Sequence, residues 1–312
     1  MSPSLWQLRH AAKEQGRRIG RRLDRARYPE VFRDCLSEPR ASQWITTALL
    51  QGAPVCVARL GAVESRLLGE ARWGPRFRPA GTFSRVTLKQ AHRNAGIFPV
   101  EPASLAAAAQ RLQAALQAVD LLAVWECPHQ ARLVSQLKPL PLRCSLSALE
   151  PWWQSPPWSA ALANRRVLVV HPFAASIQRQ WASRQHLFAD PLVLPSFELQ
   201  TLRPPLTLAG HTEGFASWTE ALDGLVDRVG SLEFDVALLG CGAYGLPLAA
   251  AIKAMGRPAL HLGGALQLLF GIRGRRWDAM PRFAALMNEA WVRPLPEETP
   301  KAAAAVDGGC YW

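Results

Sequence analysis

The chain has no run of 18 or more apolar residues, the length at which a membrane-spanning helix is suspected, although 49% of its 312 residues are hydrophobic. A large buried core is therefore expected and a membrane span is not. The six cysteines (Cys35, Cys56, Cys127, Cys144, Cys241, Cys310) form no CxxC pair. Their scatter argues against zinc and disulfides, and for the reduced thiols of a cytoplasmic protein. The N-terminus lacks the apolar stretch of a secretory signal. HExxH, GxxxxGK[ST] and GxSxG are all absent. No Asp is followed two positions on by Asp or Glu, so the usual paired-carboxylate cradle for Mn²⁺ or Mg²⁺ is missing. The seven histidines show no metal-ligand spacing. Acidic residues are scarce as well, 24 against 36 Lys and Arg, which leaves a net charge of +12.

Part of that charge lies in residues 1–30, where eight basic and three acidic residues give +5. Arg17, Arg18, Arg21, Arg22 and Arg25 crowd one region, while Leu5, Trp6, Ile19 and Leu23 supply a little apolar surface. A basic helical arm over residues 1–40 fits an anionic membrane surface, or a solvated helix packed on the domain. Nucleic acid is not expected, because no recognised motif and no basic–aromatic interleaving occurs.

Beyond the arm, apolar strands alternate with helical stripes. Strands are expected at Val55–Leu60, Leu121–Trp125, Leu142–Leu146, Val167–Val170, Phe197–Leu202, Val236–Leu239 and Ala259–Leu262. Helices are expected over Ala41–Leu50, from Glu64 onward, over Pro102–Val119, after His171, around Phe215–Val229 and over Leu246–Met255. Gly74–Thr87 reads as a loop and Pro151–Trp158 as a connector. The pattern implies an α/β fold: a doubly wound, mostly parallel Rossmann-like sheet with helices on both faces. One domain over residues 41–295 is expected, with an internal half boundary near 150–160 and a tail over 296–312.

In such sheets ligands bind beyond the carboxyl ends of the strands. The segment from Phe234 to Trp277 is the most telling there. Strand Val236–Leu239 runs into Gly240-Cys241-Gly242-Ala243-Tyr244-Gly245 and a helix. Ala259–Leu262 runs into Gly263-Gly264 and the basic cluster Arg273, Arg275, Arg276. A strand, a glycine turn and a helix start can hold phosphate on bare amides. The expected donor and phosphate set is Gly61, Gly240, Gly242, Tyr244, Gly245, His261, Gly263, Gly264, Gln267 and the three arginines. The same glycines could instead serve close helix–strand packing. The turn matches GxGxxG literally, so an NAD(P)-binding Rossmann protein is an alternative, but no acid stands about 20 residues on.

Glu64 is the leading catalytic carboxylate, as general base, as one metal ligand, or as a first-turn glutamate complementing the helix dipole. Arg59 leaves the same strand end, as a phosphate partner or an ion pair with Glu64. His171 is a candidate base or sugar-hydroxyl partner, or a structural histidine.

Arg59-Leu60-Gly61-Ala62-Val63-Glu64 resembles the RxGDGE-type motif of bacterial glycosyltransferases with the GT-D fold. The segment DVALLGCGAYGLPLAAAIKAMGRPALHLGGALQLLFGIRGRRW, with Asn288-Glu289-Ala290-Trp291 and Gly309-Cys310-Tyr311-Trp312, resembles related uncharacterised proteins of polysaccharide and capsule loci. The resemblance covers residues 41–312. It implies transfer of a sugar from a nucleotide diphosphate donor to a glycan or lipid-linked acceptor, at the inner face of a membrane. The family's metal pair is an Asp and a Glu two positions apart; here Ala62 stands at the Asp position and only Glu64 remains. The resemblance therefore leaves three routes open: no metal with the arginines carrying the diphosphate charge, Glu126 as a substitute ligand, or a non-catalytic nucleotide- or glycan-binding scaffold.

Overall fold

The computed structural model of the chain describes residues 23–75, 78–300 and 303–312. Most of the basic arm lies outside them. Among the described residues no helix is long and apolar enough to cross a membrane.

Seven strands form a single, all-parallel sheet: β1 (Cys56–Arg59), β2 (Leu121–Val124), β3 (Leu142–Ser145), β4 (Arg166–Val170), β5 (Glu198–Leu202), β6 (Val236–Leu239) and β7 (Ala259–His261), in the order β3-β2-β1-β7-β6-β4-β5. The central strands are short apolar runs, β6 being buried at all four positions. Such runs are buried on both sides, as a sheet with two covered faces requires.

Helices α1 (Glu38–Leu50), α2 (Ala62–Trp73), α3 (Arg85–Asn94), α4 (Pro102–Gln117), α5 (Ala174–Gln180), α6 (Trp218–Gly230), α7 (Gly245–Ala254) and α8 (Ala265–Leu269) do the covering. One core holds Leu67 of α2, Leu105 and Leu112 of α4, Trp218 and Leu225 of α6 and Leu248 and Ile252 of α7, packed on Ala58, Leu122, Leu168 and Leu239. The other holds Ile45 of α1, Trp158, Ile177 of α5 and Leu266 of α8, on Val57, Leu121, Val169 and Leu260. The sheet is thus doubly wound, as the alternation of strands and helices implies.

Two details differ from the expected elements. The helix after β1 starts at Ala62, with Gly61 as its N-cap, so Glu64 sits inside the first turn. A helix at Arg85–Asn94 replaces part of the expected loop, and Ser84 Oγ accepts from Thr87 N at its start. The Trp- and Pro-rich connector forms short 3-10 turns, with Trp158 fully buried. The sheet runs unbroken past it, because β1 pairs directly with β7.

Two carboxylates at the amino edge of the sheet are paired off. Asp120 takes Lys253 at 2.7 Å and the Cys56 amide at 2.8 Å. Asp235 takes Arg166 at 2.8 Å, and the hydrogen bond from Arg166 holds its carboxyl below the usual range. Glu233 also lies here, beside Arg166 and Arg257. No disulfide forms among the described residues, and burial pushes the Cys56, Cys144 and Cys241 thiols up to about 12.

Candidate functional site

At the carboxyl edge, Arg59 occupies the centre. It ends β1, between β2 and β7 in the sheet. Its guanidinium carbon lies 5.1 Å from the centroid of Trp125, the residue after β2. Trp125 is itself fixed, its Nε1 donating to the Leu60 carbonyl at 2.8 Å. On the other side Arg59 passes over the turn after β7: a Cβ on Gly263 would come 3.0 Å from Arg59 Cδ and 3.1 Å from Nη1. Arg59 is half-buried, and among the described residues its guanidinium makes no ion pair and no hydrogen bond.

Three carboxylates follow β1, β2 and β3 at this edge. Glu64 folds back over its own N-cap, where a Cβ on Gly61 would meet Glu64 Oε2 at 2.0 Å. That is where a first-turn glutamate complements the helix dipole. It is also the carboxyl edge beside Arg59, and the charges of both residues act on Cys127, whose thiol burial pushes up to about 12. Glu126 follows Trp125 in the left-handed region (φ 60°) and is ion-paired with Arg25. Glu150, which the sequence did not single out, completes the set. Burial raises its carboxyl above the ordinary range, and the charges of Arg282 and Arg59 oppose that rise.

This donor set does not fit a divalent metal. Ala62 offers no oxygen at the position, two before Glu64, that a paired carboxylate would need, Glu126 is held by Arg25, and no three His, Cys, Asp or Glu side chains converge among the described residues.

The two histidines at the edge are packed. His171 follows β4, and its Nδ1 accepts the Phe173 amide at 2.9 Å. Its remaining ring proton is therefore on Nε2. Burial lowers its pKa to about 3, so at neutral pH it holds no second proton. His261 ends β7, with Nδ1–H donating to the Leu239 carbonyl at 3.3 Å, and burial, then the Arg59 charge, lowers it to about 3 as well.

These rings explain the glycines. A Cβ on Gly240 would lie 2.4 Å from His171 Cδ2, and one on Gly245 would lie 2.1 Å from His261 Cε1 and Nδ1. Tyr244 is buried, stacked on Trp218 at 5.2 Å, with its hydroxyl 2.7 Å from Thr207 Oγ1. Of the whole turn only Gly242 (φ 59°) is exposed, with nothing within 4 Å of a Cβ there. The GxGxxG stretch therefore presents one open glycine and not a row of bare amides. Gly264 faces the Tyr311 and Trp277 rings, and Gln267 is fully buried, its Nε2 donating to the Ile272 and Tyr311 carbonyls.

The basic cluster lies beyond these aromatic side chains. Arg273 donates to Asp278 at 3.2 Å, and Arg276 stacks on Tyr311 at 4.7 Å. Arg275 is exposed with no side-chain partner among the described residues. The edge therefore gathers Arg59, Gly61, Glu64 and Gly263 with Trp125, Glu126 and Glu150, and it sets Tyr244, Gly245, His261 and Gln267 into packing.

No protein-family profile and no curated protein matches this chain. Among solved structures, one described as the highly conserved domain of unknown function 1792, with a distinct glycosyltransferase fold, aligns over 89% of this chain and 96% of its own. Identity is 14% and the TM-score 0.44. At that distance the likeness assigns no role to any residue.

Proposed function

We propose that the carboxyl edge around Arg59 binds the diphosphate of a nucleotide sugar, and that the chain is a glycosyltransferase acting on a glycan or lipid-linked acceptor. One observation carries this reading. A half-buried guanidinium ends β1, an interior strand, held by a tryptophan face and a glycine turn, with no carboxylate bound to it among the described residues. At the opposite edge, Asp120 and Asp235 are paired with Lys253 and Arg166. An oriented, unpaired guanidinium offers a fork of donors that matches a phosphate.

In transfer, an acceptor oxygen bonds to the anomeric carbon as the bond from that carbon to the phosphate oxygen breaks. The acceptor proton passes to Glu64, and the electron pair leaves on the diphosphate, where Arg59 supplies compensating charge. No step is routed through a metal. The basic arm would hold the enzyme at an anionic membrane that carries the acceptor. Ala62 favours a second reading, a nucleotide-binding scaffold without turnover, because the position that should carry a carboxylate beside Glu64 has none.

Thermal shift with UDP, GDP, ADP and dTDP tests the reading. One diphosphate should stabilise the wild type, by about 2.7 kcal/mol at 100 times its dissociation constant. Arg59→Ala should lose that binding at least tenfold. Failure of every diphosphate, or full binding by Arg59→Ala, overturns the assignment. Binding with no sugar transfer to any acceptor selects the scaffold.

A further inference from the structure

Resting on the Arg59 reading, we propose that Glu150 is the sugar-recognising carboxylate of the same sheet edge, accepting hydrogen bonds from hydroxyls of the donor sugar. Glu150 follows the 3-10 turn Leu146–Leu149, directly after β3. That turn packs into the core on one face of the sheet, through Ala148 and Leu149, while α2 packs into the other. Arg59 therefore has a carboxylate-bearing element on each face, Glu64 on one and Glu150 on the other.

The Glu150 carboxylate is oriented but not neutralised. Oε2 accepts the Trp153 indole N–H at 2.7 Å. Oε1 accepts nothing among the described residues. Arg282 and Arg59 act on it through their charge, yet neither forms an ion pair with it. Arg282 lies instead over the Trp153 ring at 4.0 Å. Glu38, the other carboxylate acting on Glu150, is occupied by the Ser145 and Ser147 hydroxyls. With Oε2 held by Trp153, Oε1 faces solvent, where a ligand hydroxyl can take the place of water.

The chemistry of the surroundings selects the ligand class. A second phosphate would be repelled by the carboxylate. A cation would be repelled by Arg59 and Arg282. A neutral polyol fits both signs of charge, because its hydroxyls donate to the carboxylate and accept from guanidinium. A sugar joined to a diphosphate on Arg59 brings such hydroxyls to the same edge.

Calorimetric titration of the full chain with nucleoside diphosphates and their hexose conjugates (UDP and UDP-glucose, GDP and GDP-mannose, among others) separates the two claims. Glu150→Ala should weaken the sugar conjugate at least tenfold and leave the bare diphosphate within threefold. Hydrogen bonds to a charged group are worth about 1.5–3 kcal/mol, and about 1.4 kcal/mol is tenfold. Glu150→Gln keeps one acceptor oxygen and the side-chain shape, and should lose part of the difference. It also serves as the variant to use if the alanine protein does not fold. Equal weakening of both ligands, or of neither, overturns the role of Glu150 while the Arg59 site stands. If the wild type binds no diphosphate, the Arg59 reading fails and Glu150 falls with it.

Discussion

The imidazole of His261 fills the place where a side chain on residue 245 would project, so that a Cβ there would lie 2.1 Å from its Cε1 and Nδ1. Both partners are fixed. His261 ends β7 and bonds the Leu239 carbonyl, and Gly245 opens α7 with helical backbone angles (φ −63°, ψ −45°). The backbone at 245 therefore tolerates any residue, and only the ring forbids one.

Gly245→Ala should accordingly destabilise the fold by about 1–3 kcal/mol, the usual cost of overpacking a core. Shrinking the ring should relieve it. In the double variant with His261→Ser the alanine should cost far less, a non-additivity that a double-mutant cycle reads directly. Melting curves on the four proteins decide the matter. An alanine variant that melts like the wild type but no longer binds diphosphate would return Gly245 to the ligand site.

Glu64 has two roles open to it, in the helix and in the reaction, and Glu64→Gln separates them. The amide keeps the shape over Gly61 and removes the base. Sugar transfer should fall by about 10²–10⁴, the range for general-base work, with diphosphate binding retained. Loss of the helix–dipole contribution alone would cost a few tenths to 1 kcal/mol of stability and leave turnover intact. Full turnover would therefore reduce Glu64 to a helix-start residue.

The central strands were legible as apolar runs, and the strand ends place Arg59, Glu64 and Gly263 at the carboxyl edge without knowledge of the fold; β3 (LRCS) and β5 (ELQTL) are mixed. Their order was not legible. That Cys56 pairs with Ala259 depends on contacts no local pattern records. The glycine turn was ambiguous for a related reason. A strand, a glycine and a helix start serve phosphate binding and close packing alike, and what separates the two uses here is a ring from another strand, His171 against Gly240 and His261 against Gly245. Glu150 was hidden by the same gap: it lies beside a Trp- and Pro-rich connector, and only folding brings the Arg59 charge to bear on it. Helix α3 escaped notice because its residues are largely polar, although Ser84, three residues before Thr87, carried the capping signal.

The buried histidines should shape the acid limb of the stability curve. His171 and His261 are neutral in the fold, with burial taking both from an ordinary 6.5 down to about 3. Unfolded, each binds a proton as pH drops through 6.5; folded, neither does until about 3. Between those values the unfolded state holds more protons, so stability rises with pH and is lost as pH falls. Their contribution is complete above 6.5 and gone near 3. His171→Asn tests this at one site. The amide oxygen can accept the Phe173 amide as Nδ1 does, and the group no longer titrates. The smaller side chain leaves space beside Gly240, so the variant should melt lower than the wild type at pH 7.5. Between pH 6.5 and 4 its melting temperature should fall less steeply than that of the wild type, and the two curves should converge. Parallel curves across that window would mean that His171 titrates alike in the folded and unfolded chain, which its burial does not allow.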